Sequence, residues 1–417
     1  MPFASSSHRH PFYSRFGELV VLSLMTLDPV GADSTRHRVG GDASIDTPVD
    51  PHLERIGRPT APEDVRTVPT AFAGDLLVGN QDSGALKRLD PVSGEIRWQL
   101  QAPNWIHSDI AWERGVGVLG YGNRFPSRRA LGGGNAEPFG SGKSGLLAVD
   151  LETGEPVWHY HGTGDVMLTP LLHAGEVFAA GNDRALHVLS LEDGRRTGLI
   201  TLGSRVELSS PTLDDDGRLF VGAAAPYRLF RVDPTTRAVV WMAEFGEAVA
   251  GLEGIPPAIE GDLVLTTAVV ATSDPQRFAH RLFALDAQSG ERRWSASLGE
   301  TRSSDAAILG APSVAEERVV AIDAAGDTLH AFDLRSGRAL WQLDCGPIRG
   351  APVIDGHRVY VTTAAGELLG ADLATGEARF SVSLGATSLA SSGPVRVGAH
   401  LFVPTHTGQL YLIPMAG

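Results

Sequence analysis

The chain has 417 residues and a formal net charge of -14 at pH 7, a balance that repels a phosphate backbone and argues against a nucleic-acid partner. Its 49 glycines and 26 prolines follow no collagen-like period and favour many turns over long helices, while a hydrophobic fraction of 42% suffices for a core. The single cysteine, Cys345, excludes an internal disulfide and a cysteine-rich metal site, and leaves the compartment open between cytoplasm and periplasm or exterior.

Residues 1–64 form a segment of their own. His8, Arg9, His10 and Arg15 precede the apolar run Leu19–Leu27 in the manner of a signal peptide, but Glu18, Ser23 and Thr26 break the pattern and no small-x-small site follows at once. The run is too short to span a bilayer, so no membrane span is expected. The segment GELVVLSL at 17–24 resembles GEARFSVSL at 376–384 and is expected to close the fold as an outer strand. The stretch 28–64, rich in Asp, Pro, Gly and Thr, reads as a long exposed connection.

From residue 65 onward one pattern recurs: an apolar strand ending in Asp, two variable residues, Ser or Thr, Gly, and an aromatic residue four positions later. It reads LKRLDPVSGEIRW at 86–98, LLAVDLETGEPVW at 146–158, ALHVLSLEDGRRTG at 185–198, LFRVDPTTRAVVW at 229–241, LFALDAQSGERRW at 282–294, LHAFDLRSGRALW at 329–341 and LLGADLATGEARF at 368–380. An incomplete eighth copy, GQLYLIPMAG, occupies 408–417. The reference positions lie 39 to 60 residues apart, the signature of radial or solenoid repetition.

Each copy follows a proline-led strand, a turn and a β-branched strand. In GAPVIDGHRVYVTTAAGELLGADLATG at 350–376 three short runs are separated by Asp355-Gly356 and Ala365-Gly366, and the aromatic tail supplies a fourth strand. The expected fold is all-β, an eight-bladed β-propeller with four-stranded antiparallel blades, forming one domain over 65–417 and a monomer. The recurring Asp is structural, its carboxylate accepting turn N–H groups while Gly takes a positive φ. Trp98, Trp158, Trp241, Trp294, Trp341 and Phe380 are expected to cover the gaps between blades. Blade 3, with Ser190 at the Asp position and Gly198 at the aromatic position, is expected to be the least firmly packed.

The pattern A-x-D-x-x-T-G-x-x-x-W resembles the tryptophan-containing repeat of the quinoprotein alcohol dehydrogenase superfamily, a PQQ-like family that also holds a lipoprotein subunit of the outer-membrane β-barrel assembly machinery. The resemblance runs over roughly 66–417 and implies the propeller. Quinone-binding members of that family use adjacent cysteines, a stacking tryptophan and a calcium site; one cysteine cannot supply the pair, so neither a PQQ-dependent dehydrogenase nor any bound cofactor is expected. The lipoprotein carries its lipid on an N-terminal cysteine, whereas Cys345 falls in the seventh inter-blade segment.

In a propeller the loops between blades, and those between second and third strands, share the face at the channel mouth, where functional groups gather on a rigid scaffold. Inner strands are expected to start near residues 66, 106, 167, 208, 253, 309, 349 and 391. Small residues dominate the next ring, and His107, with Asp109 in the same blade, breaks that rule. His107 and Asp109 are therefore the candidate acid/base pair, with an imidazole plugging the channel as the plain alternative. Arg66, Glu253, Arg349 and Arg128 are candidate ligand contacts, framed by the insertions at 120–143 and 270–281. His159 and His161 with His107 make only a weak metal pattern, and neither a G-x-S-x-G nor an H-E-x-x-H motif occurs. Two readings follow: a non-catalytic propeller binding a protein or a small polar ligand at this face, and an enzyme in which His107 moves a proton while Asp109 orients it and an arginine holds an anionic substrate.

Overall fold

The computed structural model describes residues 54–55 and 69–414, apart from 80–83, 92, 107, 123–143, 162–168, 182, 207–208, 253–254, 303–309, 385–392, 398–399 and 405–409. Among the described residues there is no helix, hence none long and apolar enough to cross a membrane. The strands fall into eight antiparallel sheets in sequence order, an eight-bladed propeller. Blade 1, for example, runs Thr70–Phe72, Asp75–Gly79, Ala85–Leu89 and Ile96–Gln101 from inside to outside. Blade 5 has a fifth strand, because both Ala258–Glu260 and Ala248–Ala250 pair with the long strand Leu263–Ala271.

Most inner strands begin four or five residues after the positions read as their starts, at Thr70, Ala111, Leu171, Thr212, Ala258, Ser313 and Val395; blade 7 alone starts at Ile348. The cause is visible in the chain. Pro69, Pro170, Pro211, Pro257, Pro312 and Pro394 each stand immediately before a strand, where a residue without an N–H cannot donate to the ladder.

The eighth blade is closed from the N-terminal side by Glu54–Arg55, which pairs with Leu410–Pro414. The segment 17–24, expected in that role, lies outside the described residues.

Burial follows the ring. Eight apolar clusters each span one pair of neighbouring blades, such as Leu171, Phe178 and Val188 of blade 3 against Leu219, Val221 and Phe230 of blade 4. Leu76 and Val78 of blade 1 meet Phe402 and Leu412 of blade 8, which closes the circle.

The repeat residues build these seams. Asp150 Oδ1 accepts the N–H groups of Glu152 and Thr153 at 2.9 Å, and the Asp233, Asp286 and Asp372 turns repeat the arrangement. The glycine closing each turn lies under the tryptophan of the preceding blade: a Cβ on Gly154, Gly194, Gly290, Gly337 or Gly376 would stand 2.5 to 2.7 Å from Trp98, Trp158, Trp241, Trp294 or Trp341. Each indole then donates its N–H to the carbonyl one residue past the turn Asp or its equivalent, Leu151, Leu191, Ala287, Leu334 or Leu373, at 2.7 to 3.1 Å. Truncating one such tryptophan to alanine costs about 3–5 kcal/mol, since packing and the indole bond go together.

Blade 3 departs from the expected looseness. Gly198 leaves room at the aromatic position, and Arg237, standing where the next blade's turn would carry glycine, lays its guanidinium into that room. It donates to Glu176 Oε1 at 2.6 Å, to Thr197 Oγ1 at 3.2 Å and to the Thr197 carbonyl. Tryptophan over glycine has become arginine over glycine, with the direction reversed.

Candidate functional site

The described residues that lead into the inner strands, or open them, are pinned to neighbouring blades. Asp109 N–H donates to Thr169 Oγ1 of the next blade at 2.9 Å, Ser209 Oγ donates to the Ile255 carbonyl at 3.1 Å, and Thr212 Oγ1 to the Pro257 carbonyl at 3.0 Å. Ser313 Oγ reaches the Pro352 carbonyl, and Trp112 Nε1 the Ala71 carbonyl at 3.0 Å, in the same way. A short hydroxyl side chain suits this task because it satisfies a neighbour's backbone carbonyl at little cost in volume.

Asp109 is half-buried on the approach to blade 2. Its neighbour Ser108 is buried and clasps Gly120 twice, Oγ donating to the carbonyl at 3.2 Å and accepting the N–H at 2.6 Å. Ile106 bridges to Tyr121, whose buried hydroxyl lies 3.5 Å from His161 Nδ1. Burial pushes the Tyr121 phenol above its ordinary pKa, so it stays neutral and polarisable rather than charged. The backbone carrying Asp109 is thus held from two directions.

His107, Arg66, Glu253 and Arg128 lie outside the described residues. Arg349 belongs to the inner strand Ile348–Asp355 of blade 7, where it pairs with Thr362. Asp109, leading into the inner strand of blade 2, and Arg349, in the inner strand of blade 7, are therefore three blades apart by the shorter way around the ring. Of the two insertions, 123–143 is outside the described residues, and 270–281 is largely a continuation of a hairpin, with Ala271 still paired to Phe278. The Thr272–Arg277 tip is tied by Thr272 Oγ1 to the carbonyls of Asp274 and Arg277 at 2.9 Å. This hairpin and the strand Ala248–Ala250, with Val249 exposed, raise blade 5 above its neighbours on the channel-mouth face.

Among the described residues no three or more His, Cys, Asp or Glu side chains converge as metal ligands. One polar cluster escaped the sequence reading. At the seam of blades 2 and 3, Tyr160 Oη lies 2.9 Å from His187 Nδ1, and His187 Nε2 lies 2.8 Å from Asp183 Oδ2. The spacing Asp-x-x-x-His is a local signal, but His187 sits in the apolar strand ALHVLS and reads as core, and Tyr160 comes from another blade.

Comparison with known proteins agrees with the repeat. The family described as outer membrane protein assembly factor BamB matches residues 124–197 and 227–417. A tetrathionate hydrolase of Acidithiobacillus ferrooxidans is 23% identical over 284 residues, covering 65% of this chain and 56% of that protein. The outer membrane protein assembly factor BamB of Nitrosomonas eutropha is 26% identical over 302 residues, covering 71% and 55%. The chain thus spans about half the length of the curated relatives it matches. Among solved structures, BamB from Moraxella catarrhalis superposes with a TM-score of 0.64 at 16% identity, covering 87% of this chain and 100% of that one. A quinohemoprotein alcohol dehydrogenase from Pseudomonas putida superposes at 0.50 with 12% identity, covering 84% and 66%. At such identities the structural likeness shows the fold.

Proposed function

The chain belongs to the family described as outer membrane protein assembly factor BamB, and we propose that its propeller is a non-catalytic platform that binds a protein partner at the channel-mouth face. The observation that carries this reading is the contrast on that face between inner approaches fixed by hydroxyl-to-backbone bonds and a blade 5 hairpin that rises with exposed Val249 beside it. A rigid ring with a few protruding contacts offers a preorganised surface, which lowers the ordering cost of association. Asp109, with His107, Arg66, Glu253, Arg349 and Arg128, is the proposed polar contact set of that face, and a small polar or anionic ligand is the other occupant it suits.

A photo-crosslinking residue placed at Val249 or Asp274 tests the platform reading, with Ser93 and Thr375 in the opposite-face turns as controls. The expected result is one discrete protein adduct from the first pair and none from the second. Adducts absent from Val249 and Asp274, or equal from both faces, end it.

A second reading is favoured by the likeness to a tetrathionate hydrolase. In it His107 takes a proton, Asp109 orients the imidazole, and Arg66 or Arg349 holds an anionic substrate. Tetrathionate consumption by the purified chain that disappears in His107→Ala supports it; no consumption by the unmodified chain removes it.

A further inference from the structure

We propose that Tyr160, His187 and Asp183 form a relay that makes the Tyr160 hydroxyl a base-assisted nucleophile toward acyl- and sulfonyl-type electrophiles, a covalent-modification site independent of the platform reading. Asp183, ionised, can only accept, so His187 Nε2 carries the proton in their 2.8 Å contact. In the neutral imidazole Nδ1 is then the acceptor, and Tyr160 Oη donates to it across 2.9 Å. The orientation is imposed from the carboxylate end, which is the logic of a base aligned by an acid group behind it.

Burial strengthens the arrangement. The His187 side chain is 8% exposed and the Asp183 side chain 26% exposed, so the imidazole is shielded while the carboxylate keeps contact with water. Tyr160 is half-buried, packed at 5.9 Å between ring centroids against His187. Its partner stands across the seam: the phenol comes from the outer strand Pro156–His161 of blade 2, the imidazole from the third strand Ala185–Ser190 of blade 3. A buried histidine needs one partner per nitrogen to be satisfied; here the two partners are an acid and a phenol in series, which also permits proton transfer.

The chemistry balances as follows. With an aryl sulfonyl fluoride, the Tyr160 oxygen forms the O–S bond as the S–F bond breaks, its proton passes to His187 Nδ1, and the imidazolium is held by Asp183. Fluoride departs and the proton follows it to solvent.

The experiment labels the full chain with an aryl sulfonyl fluoride and maps tyrosines by mass spectrometry across pH 6 to 9. An unassisted tyrosine reacts as phenolate, with a rate that climbs about tenfold per pH unit in this range. Tyr160 is expected to react about tenfold or more faster than any other tyrosine at neutral pH, with a rate that depends less steeply on pH than theirs. His187→Gln is expected to bring it down to the common rate and restore the steep pH dependence, and Asp183→Asn to lower it about tenfold. If His187→Gln fails to fold, Asp183→Asn and the profile of the unmodified chain decide. Labelling of Tyr160 no faster than its fellows, a steep profile in the unmodified chain, or an unchanged rate in a folded variant overturns the proposal.

Discussion

Arg237 and Gly198 exchange the roles that tryptophan and glycine play at five other seams of the ring: the large side chain comes from the following blade and the space from the preceding one. Arg237 adopts φ 58° to do so, a conformation that favours glycine. Gly198→Trp alone would drive its Cβ to 2.6 Å from the Arg237 guanidinium, and Arg237→Gly alone would leave Glu176 without its 2.6 Å partner. Each single variant is expected to lose about 1–3 kcal/mol, and the double variant to be more stable than either, a coupling of about 1–3 kcal/mol. Thermal or denaturant unfolding of the four proteins checks it; strictly additive losses would show that the two positions do not substitute for a docking pair.

Trp294 and Gly337 probe the regular seam. Trp294→Phe keeps most of the packing and loses the 2.9 Å bond to the Leu334 carbonyl, for an expected cost of about 0.5–1.5 kcal/mol beyond the smaller ring. Gly337→Ala places a Cβ 2.5 Å from the indole at φ 68°, and about 1–3 kcal/mol of strain is expected. Urea midpoints at constant slope measure both, and a neutral Gly337→Ala would refute the close stacking.

Acid should loosen the aspartate turns of blades 2, 4, 5 and 6 together. The Arg293 guanidinium holds the Asp286 carboxyl down from 3.8 to about 2, against the opposing effect of burial and helped by the Ser289 N–H. Backbone N–H groups, that of Thr153 foremost, lower Asp150; the N–H of Thr236 leads for Asp233 and the Ser336 hydroxyl for Asp333. Because these folded-state values lie below the unfolded one, the stability they contribute is complete above it and is lost as pH falls toward the folded value. The melting temperature is expected to hold from pH 7 to about 5 and to fall between about 4 and about 2. Asp286→Asn should flatten that acid limb, and an unchanged limb would assign acid lability elsewhere.

Cys345 is expected to be inert while the chain is folded. Burial pushes its thiol up to about 11, the hydrogen bond it receives pulling the other way, and its Sγ–H donates to the Leu343 carbonyl at 3.5 Å. Iodoacetamide at pH 8 should alkylate the native protein on the order of a hundredfold more slowly than the unfolded chain. Equal rates in the two states would mean that the thiol is open to solvent.

The fold was legible because each repeat carries its own instructions: Asp150 and Gly154 fix a turn locally, and Trp158 announces an aromatic flank. What a neighbouring blade supplies was not legible. Gly198 alone reads as a weak point, and only the arrival of Arg237 from 39 residues later reverses that. Six of the inner strands begin later than the sequence suggests for a local reason: the ladder starts only after a proline that cannot donate. Of the proposed contacts, Asp109 stands out in the sequence by its break in repeat symmetry, whereas Tyr160, His187 and Asp183 each obey local strand or turn patterns and become chemical only in contact.

Leu76 and Val78 meet residues of the last blade, Phe402 and Leu412, more than three hundred positions away. Emerging from the ribosome, this chain can stack blade upon blade as it grows, yet the collar has no clasp until residues 402 and 412 have followed. Until then the first blade shows an apolar flank that lacks its partners from the eighth. A chain stopped short of residue 402 keeps that flank bare for good, and self-association is its natural fate.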